Sequence, residues 1–263
     1  MKLLLLGSNG QVGWELQRSM ATLGKLKACD RSTLDFIDLD GLRKLIRDYK
    51  PDVIVNAAAY TDVDKAESDE ENAFQVNSRA VDLLAQEAKV LDAWLVHYST
   101  DYVFDGEKMS PYTEEDKTNP LSVYGKTKLQ GEEAIKKSKC KYLIFRTSWL
   151  YGTHGKNFFK TIIKLAKERD ELRIVSNQIG APTSAELVAD VTSLCLYRIA
   201  QNSLSSKEIS GIYHLTATGK ASWYDFAKYV ILEAKKFGGV FLANPENIIA
   251  VKTSEYNLTA KRP

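Results

Sequence analysis

The chain has 263 residues, 44% of them hydrophobic, enough for one substantial core or a large domain with a smaller one leaning on it, which excludes a disordered chain. Lys and Arg (36) nearly balance Asp and Glu (34), and the formal charge of +2 lacks the strong field that nucleic acid or an acidic membrane would call for. A small-molecule partner fits better. Cys29, Cys140 and Cys195 show neither CxxC nor metal-ligand spacing, which suits buried thiols in a reducing compartment.

In chain order, the apolar run Leu3–Leu6 reads as a strand buried on both faces of a parallel sheet. It stops at Gly7, too short for a signal-peptide core or a membrane span, so the expected location is the cytoplasm. Gly7-Ser-Asn-Gly10-Gln-Val-Gly13 follows directly and opens a helix at Trp14. Backbone amides and the helix dipole at such a turn can hold a pyrophosphate, although a bare tight turn has the same glycines. A second run, Leu26–Cys29, ends at Asp30, placed to accept hydrogen bonds from an adenosine ribose, while Arg31 could neutralise a 2′-phosphate. NADH and NADPH both stay open, as does a plain turn role for Asp30.

Further runs at Asp52–Asn56, Ala93–His97, Tyr142–Phe145 and Leu172–Val175 alternate with helical or polar segments, the rhythm of βαβ units. The stretch 70–89 has apolar residues at helical spacing, with Ser68 and Glu71 offering a capping box. Asn119-Pro120 reads as N-cap and first turn of the helix that carries Tyr124 and Lys128. Loops increase from about Trp149. The expectation is a Rossmann-type, doubly wound parallel sheet over 1–150, with a smaller substrate-binding lobe over 151–263, some of whose segments return to the sheet.

Tyr124-Gly-Lys-Thr-Lys128, preceded by Ser99-Thr100-Asp101, supplies a phenol, an ammonium and a hydroxyl suited to reducing a carbonyl. Residues four apart share a helix face, so Lys128 can lower the phenol from its ordinary pKa of about 10. Taken alone, the pattern also fits a surface tyrosine and a solvated lysine. Glu186 and Asp190 fall four apart on a helix starting near Ala185, where a cation between them would relieve their repulsion, though solvated acidic pairs are the commoner case. His97, His154 and His214 lack metal-binding spacing and suit core or surface roles.

Several ordered motifs together make the chain resemble the extended short-chain dehydrogenase/reductase superfamily, and within it the family of dTDP-4-dehydrorhamnose reductases. They are residues 7–16, Pro51–Thr61, Asp64–Glu67, His97–Phe104, Val123–Lys128, Phe145–Trp149, Gly180–Thr183 and Trp223–Phe226. The resemblance implies hydride reduction of the C4 ketone of a dTDP-linked 6-deoxy-4-hexulose by NADPH or NADH, giving dTDP-L-rhamnose. Tyr124 would donate the proton, Lys128 would lower its pKa and hold the nicotinamide ribose, and Thr100 would hydrogen-bond the substrate oxygen. Cofactor contacts would come from Gly7, Asn9, Gly10, Gln11, Val12, Asp30, Arg31, Asp35, Phe36 and the Ala58-Ala59-Tyr60 turn, counted as the end of the fourth strand. Asp35 and Phe36 fit equally a loop carboxylate and a core ring.

By the same resemblance Asp101, Trp149, Asn157, Gln178, Thr183 and Trp223 would face the nucleotide sugar, with core packing the rival role for the tryptophans. Glu15 and Glu186 match positions that hold magnesium between two subunits in some members, and oxygen ligands would suit that ion. Monomer and homodimer are both compatible. Related dehydratases have Thr-Asp-Glu where this chain has Thr100-Asp101-Tyr102, which favours simple reduction over dehydration. Another nucleotide-sugar ketoreductase or epimerase, or a silent NADP-binding regulatory subunit of the same fold, are the alternatives. Members continue past the match to Arg262-Pro263 into a helical tail.

Overall fold

A computed structural model describes residues 1–201, 206–256 and 258–263. It divides into two compact units: 1–147, 186–215 and 259–263 form the first, 148–185 and 216–258 the second.

The first unit is built on six parallel strands in the order β10-β5-β4-β3-β1-β2. They are β1 (Lys2–Leu6), β2 (Lys25–Cys29), β3 (Val53–Asn56), β4 (Trp94–Thr100), β5 (Lys141–Thr147) and, after the chain returns, β10 (Gly211–His214). Leu3–Leu6, Val53–Asn56 and all of β4 are buried, as strands between two helical layers should be, with apolar runs at Leu3–Leu6, Val53–Val55 and Trp94–Val96. The helices are α1 (Gln11–Ser19), α2 (Leu39–Tyr49), α3 (Val63–Ala66), α4 (Glu70–Phe74), α5 (Ala80–Val90), α6 (Val123–Ser138), α8 (Ala185–Ala200) and α9 (Ser206–Ile209). α2 and α5 pack a core of Leu42, Ile46, Leu84 and Ala88 against Leu4, Ile54 and Leu95. α8 is joined to α1 through Ser19 to Ala189 O (3.1 Å) and Ser193 to Ser19 (2.8 Å), and to the sheet through Tyr98 and Thr192 (2.8 Å).

The second unit has β6 (Leu150–Tyr151) with β9 (Thr183–Ser184), β8 (Ile179–Gly180) with β11 (Ala221–Ser222), and β7 (Leu172–Val175) with β12 (Ile248–Val251). Its helices α7 (Phe158–Glu168) and α10 (Trp223–Lys236) share an apolar core that includes Ile162, Ala166, Phe226 and Ile231.

Several local expectations are corrected. The first helix begins at Gln11 rather than Trp14. The turn at Ala58–Tyr60 follows the third strand, not the fourth. Leu172–Val175 belongs to a separate two-stranded sheet, and the sixth strand of the main sheet is β10, whose mixed Gly-Ile-Tyr-His sequence has no strong period. The stretch 70–89 is α4, a π-helical turn over Gln75–Arg79 and α5. Its capping box does not form, because Ser68 donates to Lys65 O instead and Asp69 occupies the N-cap. The π-turn carries Asn77, which bonds Tyr60 N (2.9 Å), Tyr60 O (3.0 Å) and Thr127 Oγ1 (3.2 Å), so the widened turn ties this helix to the β3 loop and α6. α6 starts at Val123 with Ser122 as N-cap, its Oγ accepting from Gly125 N at 3.1 Å, while Asn119 bonds Asp105.

Candidate active site

Parallel pairing places the carboxyl ends of β1, β3, β4 and β5 along one edge, where ligands bind in open α/β sheets. At β1 the turn reverses at Gly7, whose φ of +81° is left-handed, and a side chain there would strike Ala58 N and Cα. A Cβ on Gly13 would strike the Gly7 carbonyl, so α1 can only approach the strand this closely without one. Gly10 caps α1 with no side chain, and the first turn carries no acidic residue. These features fit a dinucleotide pyrophosphate: a helix start with no side-chain cap and a close, side-chain-free approach.

The Gln11 and Val12 side chains follow at the helix start, Val12 buried. Asp30 is engaged on both oxygens: Oδ2 by Asn9 of the glycine turn, and Oδ1 by Ser32 N (2.9 Å) and Ser32 Oγ (2.6 Å) of its own loop. Those bonds, from Ser32 first, hold its carboxyl below the usual carboxylate range. Arg31 and Asp35 are exposed, and a cavity of about 630 Å³ beside β2 is lined by Arg31, Ser32, Asp35 and Lys44. Phe36 is buried in the apolar core. Ala58, Ala59 and Tyr60 are half-buried, with Tyr60 hydroxyl bonded to Asp69 (2.9 Å).

Thr100, the last residue of β4, accepts from Tyr102 N (3.2 Å) and donates to Asp101 Oδ1 (3.1 Å). Its hydroxyl also acts to lower the pKa of the Tyr124 phenol, which meets the Tyr102 ring edge-on at 5.4 Å. Burial pushes Tyr124 well above its ordinary value, Asp101 and Tyr102 push the same way, and Thr100 opposes them. Asp101 is itself pushed up to about 6 by burial. The expected coupling of Tyr124 to Lys128 is therefore not what sets the phenol in this structure: the fully buried Lys128 ammonium donates to Tyr98 O at 2.6 Å and meets His97 Nε2 at 3.2 Å. The sequence reading missed His97 as a partner of this lysine. Its one available signal was the alternation of β4, which puts His97 and Thr100 on opposite faces and turns the imidazole toward α6.

Next to Lys128, Glu132 and Arg146 form a buried bidentate pair, Nε to Oε1 at 3.0 Å and Nη2 to Oε2 at 2.6 Å. Its guanidinium also lies 5.1 Å from the Phe104 ring centre.

In the second unit Trp149 and Trp223 stack at 3.5 Å and 7°, and Trp223 Nε1 donates to Gln178 Oε1 at 3.1 Å. Thr183 N bonds Trp149 O, but its hydroxyl is taken by Ala181 O (2.9 Å) and Ala217 N (3.2 Å). Asn157 caps α7 by accepting from Lys160 N (2.9 Å), and it donates to Gly152 O. Trp149, Gln178, Thr183 and Trp223 thus come together, and the Thr183 and Asn157 side chains are hydrogen-bonded to neighbouring backbone.

Around Arg18 the acidic residues Glu15 (3.2 Å), Asp190 (2.8 Å) and Glu186 (3.9 Å) converge. The Arg18 guanidinium thus lies beside both Glu186 and Asp190, and no cluster of three or more metal-ligating side chains occurs among the described residues. Cys29 and Cys140 are buried free thiols. No described helix is long and apolar enough to cross a membrane.

The chain is 48% identical over 267 residues to dTDP-4-dehydrorhamnose reductase of Escherichia coli strain K12, covering 100% of this chain and 87% of that one. It is 50% identical over 267 residues to the enzyme of that name from Salmonella typhimurium, with the same coverage. Among solved structures, dTDP-4-dehydrorhamnose reductase from Bacillus anthracis in complex with NADP superposes with a TM-score of 0.90 at 33% identity, over 100% of this chain and 88% of that one. All of residues 1–263 match the family described as RmlD substrate binding domain, and the chain belongs to that family.

Proposed function

We propose that this protein reduces the C4 ketone of dTDP-4-dehydrorhamnose to give dTDP-L-rhamnose, oxidising NADPH. The observation that carries the reading is Tyr124, one helical turn from buried Lys128 on α6, beside Thr100 at the carboxyl end of β4, in a chain 48% identical to a reductase of this name. When bound, the reduced nicotinamide supplies the hydride. Tyr124 is held protonated by burial throughout the neutral range, so it carries the proton that the nascent C4 alkoxide takes up. Thr100 orients that phenol and offers its hydroxyl to the same oxygen. Lys128, one helical turn from Tyr124 on α6, is the residue that would meet the nicotinamide ribose.

NADPH is favoured over NADH because Asp30 has both carboxylate oxygens engaged, one by Asn9 and one by Ser32, while Arg31 beside it is exposed for a 2′-phosphate. Trp149, Gln178 and Trp223 present stacked rings and an amide suited to the sugar nucleotide. Magnesium has no step in this reading. Mixing the protein with NADPH and the dTDP-keto sugar, and following loss of reduced-nicotinamide absorbance, tests it. Turnover is expected; bound cofactor without turnover would show the silent regulatory alternative instead.

A further inference from the structure

His97 is fully buried on β4, in register with Asn56 on β3. The Asn56 amide nitrogen lies 3.1 Å from His97 Nδ1, and the Asn56 amide oxygen accepts from Ala58 N at 3.2 Å. The second bond settles which way the amide is turned, since only its oxygen can accept, so the nitrogen faces the imidazole. Nδ1 is then an acceptor, and a neutral ring must carry its proton on Nε2. Nε2 in turn lies 3.2 Å from Lys128 Nζ. A protonated amine brings only donors to that contact, whereas a neutral amine offers a lone pair to Nε2–H.

We propose that Asn56 and His97 are positioning residues for Lys128: Asn56 fixes the Nε2–H tautomer, and His97 aims that proton at Nζ, biasing the amine toward its neutral form and setting the alkaline limit of catalysis. The inference deepens the reductase reading and rests on it for its kinetic consequence, but the tautomer itself does not depend on turnover.

The surrounding charges agree. Burial lowers Lys128 to about 8, with Glu132 on the same helix opposing the shift. Glu132 is locked to Arg146 from β5, and Arg146 neutralises much of its pull. From β4, Tyr98 contributes only a carbonyl, and from the π-turn Asn77 reaches Thr127 with an amide. His97 is driven well below its ordinary value, first by burial and then by Lys128, so the ring is neutral. Because the charged amine is the form that would hold the nicotinamide ribose in the reductase reading, activity falls as Lys128 loses its proton on the alkaline side.

With only three histidines in the chain, 15N-histidine labelling and long-range proton–nitrogen spectra of the whole protein resolve His97 directly. The expected signature is a neutral Nε2–H tautomer from pH 6 to 9 that shifts as Lys128 titrates; a wild-type Nδ1–H tautomer, or a ring that protonates near its ordinary value, overturns the proposal. In Asn56→Asp the carboxylate must accept from Nδ1–H, so the spectrum should switch tautomer, and retention of Nε2–H also overturns it. His97→Phe removes the donor, and the alkaline limb of kcat/KM for NADPH oxidation should move up by about one pH unit. A lower rate with an unmoved limb in the folded variant would leave His97 a merely structural residue and defeat the proposal. Absence of turnover in the wild type would instead sink the reductase reading, with the tautomer arm still standing.

Discussion

The polar neighbourhood of β4 and α6 and the aromatic neighbourhood of Trp149 are organised by opposite physics. Around β4, buried His97, Lys128, Glu132 and Arg146 are tolerated because each has a partner fixed by strand register or by the turns of one helix. Around Trp149 the organising contact is the stacked pair with Trp223, and one polar handle, Gln178, fixes the indole nitrogen. The stack has a local cost: Trp149 sits at φ +47°, left-handed for a bulky residue, and its ring lies so near Gly180 that a Cβ there would overlap it. The difference teaches that the first region should fail through unpaired protons and charges, and the second through lost shape.

The largest effect should come from Tyr124→Phe, which removes the proton donor while keeping the ring against Tyr102. Its kcat should drop about 10²–10⁴-fold with NADPH affinity near wild type, measured by steady-state rates and cofactor titration. Wild-type kcat would refute the donor role. Next, Glu132→Gln leaves Arg146 as an uncompensated buried charge and should cost about 3–5 kcal/mol in urea unfolding. If Glu132→Leu with Arg146→Met recovers most of that loss, the pair's contribution is relief of a buried charge rather than net attraction.

In the aromatic region, Trp223→Ala should cost about 1 kcal/mol of binding, roughly a fivefold rise in sugar-nucleotide KM, with the NADPH KM unchanged. Equal changes in both constants would place Trp223 in the fold alone. The smallest effect is pH-dependent. Asp101 rises from 3.8 to about 6 on folding, so between those values the folded state binds more protons and stability falls as pH increases. Asp101→Asn mimics the protonated side chain, and should raise Tm by roughly 2–4 °C at pH 7.5 but leave it unchanged at pH 4. An equal shift at both pH values would rule out the titration.

Most of the sheet was legible because strands buried on both faces carry apolar runs, as Leu3–Leu6, Val53–Val55 and Trp94–Val96 do. β10 was not, since its residues carry no pattern and it joins the sheet only through pairing with β5 across a long return of the chain. Helix starts were misplaced for a related reason. Ser122 and Asn119 can both cap, and which one does was decided by Asp105 capturing Asn119.

The sequence by itself determined the glycine turn after β1, the helical spacing that sets Tyr124 and Lys128 on one face, and the alternating strand and helix order, because these depend on residues within one or two turns of each other. Tertiary structure alone decided that Lys128 points to Tyr98 and His97, that Arg18 fills the acidic cluster, and that Asp30 is engaged by its own loop. A buried charge takes whichever partner the packing brings within about 3 Å, and that distance is set by segments far apart in the chain.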